Sequence, residues 1–182
     1  MKRLIQAIEV PRDLLLGRYP DFVTGGSLPH GQVPVFVFHS IEPEPFARKL
    51  RHLADNGYVT LSVEEYFQVL MNARPAPERA VLLTLDDGRA SVYSVAYPLL
   101  QRHGMKAVVF LVPSRIGNQP ARPLAADWRA LTPPPPNEGF LSWEEVRVLS
   151  ASGHFDFQSH SLSHARVHTG PSVAGFMTPE LQ

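Results

Sequence analysis

The chain has 182 residues, 44% of them hydrophobic, enough to build one packed domain and inconsistent with disorder throughout. Seventeen basic residues balance seventeen acidic ones, so no strong field favours nucleic acid or an anionic membrane surface, and a neutral substrate fits at least as well. The absence of cysteine excludes disulfides, thiolate metal sites and cysteine nucleophiles, so a bound metal must use His and Asp or Glu.

Met1 to Ile8 begins like a secretory leader but meets Glu9, Pro11, Arg12 and Asp13 before a long apolar core develops. No window approaches the roughly 20 apolar residues that a membrane helix needs. Mature sequence without stable membrane insertion is therefore expected. Residues 1–32, with Gly25-Gly26-Ser27 and several prolines, read as a loosely structured lead-in to a domain over 33–182.

Val33 to His39 is almost wholly apolar and suits an inner strand of a parallel sheet or barrel. His39, at its end, either lines a site floor or is a core histidine satisfied by a backbone carbonyl. In Pro43 to Asn56, Phe46, Leu50 and Leu53 recur at helical spacing, and Asn56-Gly57 is placed to end the helix in the left-handed conformation. Tyr58 to Leu61 is a short strand. Ser62-Val63-Glu64-Glu65 is a capping box that opens a helix to about Asn72, followed by a proline-rich link to Arg79.

Residues 80–85 form a short apolar run ended by Asp86-Asp87-Gly88, which reads as a buried strand carrying two carboxylates at its carboxyl end. Consecutive strand residues point in opposite directions, so the two aspartates can take separate tasks. Arg89 could contact a bound ligand, although a solvated position near the mouth is the plainer reading. Pro98 suits the first residue of a helix from Leu99 to His103 closed by Gly104, and Lys106 to Val112 is another apolar strand. This alternation of strand and helix predicts parallel βα units.

Residues 113–140, with Pro133 to Pro136, break the rhythm and read as an insertion flanking the site. Trp128 could stack on a ligand or simply pack the loop down, and Asp127 is a further polar candidate. Ser142-Trp143-Glu144-Glu145 is a second capping box for a helix to about Ser150. His154 to Ser159 alternates polar and aromatic residues as a partly covered strand should.

That strand delivers His160 and His164. If residues 160–164 form one turn of helix, both imidazoles leave the same face within reach of one ion. Two histidines and a strand-end aspartate make three protein ligands, and three ligands with an open position describe a catalytic zinc site. His168 is an alternative ligand, with a plain surface histidine as the simpler reading.

Thr84-Leu85-Asp86-Asp87-Gly88 resembles the first motif of the polysaccharide deacetylases (carbohydrate esterase family 4, the NodB-homology domain), and His160-Ser161-Leu162-Ser163-His164 resembles their second. Phe38-His39-Ser40 is similar to the end of the family's first strand. The resemblance implies a distorted, TIM-like (β/α)7 barrel of the α/β class, incomplete at the carboxyl end, because the family's later motifs fall beyond Gln182. It implies that Asp87, His160 and His164 hold a divalent metal, most simply Zn2+, and that Asp86 is the general base. The resemblance implies an N-acetylated glycan as the substrate, deacetylated with release of acetate, for which His39, Arg89 and Trp128 are the substrate-binding candidates. Because signal-bearing relatives are common in the family, a chain read as lacking a leader is expected in the cytoplasm. The alternative is a truncated, non-catalytic metal- or glycan-binding remnant.

Overall fold

A computed structural model of the chain describes residues 31–124 and 139–165. Trp128, Asp127, His168 and the tetraproline run lie outside the described residues, as does nearly all of the expected 1–32 lead-in. The order of elements is β1 (Val35–Phe38), α1 (Pro43–Asp55), β2 (Val59–Thr60), α2 (Val63–Leu70), β3 (Ala80–Leu85), α3 (Tyr97–His103), β4 (Ala107–Leu111), α4 (Trp143–Ala151) and β5 (Phe155–Ser159). Every strand pairing among the described residues is parallel. The order across the sheet is β1-β3-β4-β5, with β2 paired to the start of β3. This is the expected α/β arrangement, left open rather than closed into a barrel among the described residues.

β3 is buried at every position, as its unbroken apolar run predicts. Its two faces serve different layers. Val81, Leu83 and Leu85 pack with Phe46 and Leu50 of α1 and with Leu99 and Leu100 of α3 in the main core. Ala80 and Leu82 point to the other side of the sheet, beside Val108. Thr84 and Asp86 follow Leu82 on that second face and line a cavity of about 420 Å³ with Val35, Val37, Tyr66, Phe110 and His160.

β1 departs from expectation. It spans four residues, and Val35 and Val37 are 43% and 55% exposed, so only Phe36 and Phe38 pack on the main core. β1 pairs with β3 alone, and no described element covers its inward face. Apolarity on both faces records what the strand can be buried against, and here only one face has a partner.

Both capping boxes form. The Ser62 hydroxyl accepts from Glu65 N–H while the Glu65 carboxylate accepts from Ser62 N–H, and Ser142 and Glu145 do the same for α4. Gly57, Gly104 and Gly153 take left-handed angles just past the helices they end. The second helix stops at Leu70, two residues short of the predicted end. The helix expected from Pro98 starts at Tyr97 and is preceded by a π-helical turn, Val92–Ala96, that the sequence does not announce.

Candidate metal centre

The end of β3 turns sharply. Asp87 and Gly88 adopt φ of 70° and 68°, consecutive left-handed residues that peel the chain off the sheet. Aspartate tolerates this region better than most side chains, and glycine adopts it freely. Gly88 is required twice over, because a Cβ there would lie 2.6 Å from Leu111 Cδ2 and 3.2 Å from Ile116 Cδ1. The turn therefore packs tightly against β4 and sends the two carboxylates apart.

Asp86 stays on the open face of the sheet, with Oδ2 3.8 Å from His39 Nε2. His39 is 63% exposed, which rules out the core histidine reading. Asp87 is buried. Its Oδ1 lies 3.8 Å from His160 Nε2 and 4.0 Å from His164 Nε2, and its Oδ2 accepts a 3.2 Å hydrogen bond from Arg89.

The expected helical turn at 160–164 does not form. The segment is an irregular bend in which Ser161 and His164 have φ of 61° and 52°. It is pinned by His160 N–H to Leu111 O at 2.7 Å, Ser114 N–H to Leu162 O at 3.0 Å, and His164 N–H to the Ser161 hydroxyl at 3.0 Å. The imidazoles converge regardless, with ring centres 4.8 Å apart. Two left-handed residues do here what a helical face was expected to do.

Asp87, His160 and His164 each offer one donor atom, and the three atoms lie within 4.8 Å of one another. A tetrahedral ion with bonds near 2.1 Å holds its donors roughly 3.4 Å apart, so modest side-chain rotation closes the set. The fit is supported by Asp87 Oδ1 itself, which is buried, faces both rings and accepts no hydrogen bond. A buried carboxylate oxygen left without a donor is costly unless something positive completes it.

Arg89 is not the solvated arginine of the plainer reading. It is 32% exposed, ion-paired to Asp87, with its guanidinium carbon 4.8 Å from the centre of the Phe140 ring. A second feature the sequence did not disclose lies behind it. Glu145 is fully buried and accepts from Arg122 Nη1 at 2.8 and 2.7 Å as well as from Arg122 N–H at 3.0 Å, tying the 117–124 loop to α4. Part of the clue was present: Leu149, at i+4 on the same helix, puts the Glu145 carboxylate on an apolar face, where burial calls for a cationic partner.

Residues 73–180 match the family model described as polysaccharide deacetylase. The chain belongs to the polysaccharide deacetylase family. It is 34% identical over 145 residues to the Bacillus subtilis protein YxkH, whose name assigns it provisionally to the same family, covering 75% of this chain and 45% of that protein. It is 30% identical over 124 residues to the poly-beta-1,6-N-acetyl-D-glucosamine N-deacetylase of Escherichia coli strain K12, covering 68% of this chain and 18% of the enzyme. Among solved structures, the de-N-acetylase from Aggregatibacter actinomycetemcomitans superposes with a TM-score of 0.59 at 26% identity, over 76% of this chain and 58% of that one. The chain thus spans less than half the length of these two curated relatives. No helix among the described residues is long and apolar enough to cross a membrane.

Proposed function

We propose that this chain carries a metal-dependent site for removing N-acetyl groups from an N-acetylated sugar or polysaccharide. The observation that supports it is the convergence of Asp87 Oδ1, His160 Nε2 and His164 Nε2 on one point, with a second carboxylate, Asp86, adjacent in sequence but facing elsewhere. The names of the relatives supply the substrate class, an N-acetylated glucosamine polymer in the Escherichia coli enzyme.

Asp87, His160 and His164 would hold the ion, and imidazole with carboxylate suits Zn2+. When bound, such an ion polarises the amide carbonyl and lowers the pKa of water toward ~7. Asp86, on the open face, takes the proton from the attacking water. The amide C–N bond breaks, acetate leaves, and the sugar nitrogen needs a proton. His39, exposed beside Asp86, would donate it when protonated. Arg89 is already committed to Asp87, which supports the metal site rather than the sugar as its place of action.

The test is acetate release from β-1,6-linked N-acetylglucosamine oligomers and from chitooligosaccharides, before and after chelation and on zinc return. Release that chelator abolishes and zinc restores is the expected result. Release indifferent to chelator would sink the metal-dependent reading. The remnant reading draws on the uncovered inward face of β1. It predicts stoichiometric zinc binding with no acetate under any condition.

A further inference from the structure

Asp87 meets Arg89 through one oxygen and the two imidazoles through the other, and this division has a mechanical basis. Segment 139–141 is clamped against 88–90 by Ala90 N–H to Gly139 O at 3.1 Å and Leu141 N–H to Gly88 O at 2.9 Å, with Arg89 and Phe140 paired across an antiparallel bridge. Phe140 is thereby fixed beneath the Arg89 guanidinium, 4.8 Å from ring centre to Cζ. Arg122 Nη2 holds the Phe140 carbonyl at 3.1 Å, so the shelf is anchored in turn to buried Glu145. Arg89 then donates from Nη2 to Asp87 Oδ2 at 3.2 Å, leaving Oδ1 without a donor and facing His160 and His164.

Resting on the metal site proposed above, we propose that Arg89, seated on Phe140, is the positioning residue that presents Asp87 to the ion through Oδ1 alone. Two effects of the guanidinium oppose each other. Its charge repels a nearby cation, while its hydrogen bond fixes the carboxylate on a backbone already in the left-handed region. Outer-sphere partners that orient a ligand commonly set metal affinity by roughly 10- to 100-fold. The separation of the two oxygens favours the same outcome here, because the guanidinium occupies the side of the carboxylate away from the imidazoles. A planar, ring-stacked donor is also what arginine offers and lysine does not.

The experiment is zinc titration of the 182-residue protein with a competing chelator, alongside the thermal midpoint of each metal-free variant. Wild type binds and His160→Ala does not, which secures the site independently. Arg89→Ala then weakens zinc roughly 10- to 100-fold; its metal-free midpoint also falls, because Asp87 is left buried without its cation, and Arg89→Lys restores the midpoint more fully than the zinc affinity. Phe140→Leu, which keeps bulk but removes the ring face, weakens zinc by about two- to five-fold. In the double variant this loss vanishes, because Phe140 acts through Arg89. Equal or tighter zinc binding by Arg89→Ala, or a Phe140→Leu loss that persists in full without Arg89, overturns the proposal while leaving the metal site standing. A wild type that binds no zinc overturns both.

Discussion

Asp86 and Asp87 share a peptide bond yet serve different surroundings: Asp86 Oδ2 faces His39 at 3.8 Å, and Asp87 Oδ1 faces His160 at the same distance. The left-handed φ of Asp87 turns the chain between them. Their substitutions should therefore fail differently. Asp86→Asn is expected to keep zinc affinity and to lower acetate release by about 10² to 10⁴, the usual worth of a positioned acid or base. Asp87→Asn should lose zinc first, and activity as a consequence. Zinc titration and acetate assay on both variants check the split, and equal loss of zinc in the two would refute it.

The same turn makes Gly88 a structural requirement. Alanine there combines a positive φ with a methyl group pressed on Leu111 and Ile116. Backbone strain and overpacking together should cost about 2–4 kcal/mol. Urea unfolding of Gly88→Ala measures it, and because the methyl would displace the turn carrying Asp87, zinc affinity should fall with stability.

Which parts of this were legible in the sequence follows from the range of the interactions that form them. The capping boxes at Ser62 and Ser142, the left-handed residues after the helices and the buried 80–85 strand are set by neighbours within a few positions, and all form as read. The donor trio was legible as residue types, but not the means of gathering it. HxxxH spacing suggested a helical turn, whereas the bend is imposed by β4 and the 112–115 turn through Leu111 O and Ser114 N–H, contacts distant in sequence. Arg89 on Phe140 was invisible for the same reason, and so was which cation would meet Glu145, since each pairing spans 20 to 50 or so positions.

Arg122 and Glu145 give a stability prediction that leaves the donor atoms untouched. Removing Arg122 strips a fully buried carboxylate of its cation, and breaking a buried pair from one side costs about 3–5 kcal/mol. Arg122 is about one-third exposed, and Ser142 N–H still satisfies part of the carboxylate, so the lower end, about 3 kcal/mol, is expected for Arg122→Ala. Chemical unfolding provides the measurement, and a loss under about 1 kcal/mol would place the pair with ordinary surface ion pairs instead.

Glu65 predicts how stability depends on acid. Its carboxylate accepts the Ser62 backbone N–H and lies 3.2 Å from Lys106 Nζ. The Ser62 backbone hydrogen bond is the main cause that holds its pKa below the usual glutamate value, with Lys106 adding to it and burial partly opposing. A folded-state pKa lowered relative to the unfolded chain means that the folded form prefers the ionised group. Its contribution is therefore fully present above the unfolded value, near 4.3, and is lost as pH falls through the lowered folded one. Glu65→Gln keeps an oxygen that can accept from Ser62 but carries no charge, so it removes only the ionisable part. The variant should be less stable than wild type at pH 7, and the difference should shrink steadily below about pH 4. Denaturation midpoints of both proteins at pH 7, 4.5 and 3 test this, and a gap that stays constant across the three would show that the Glu65 charge does not stabilise α2.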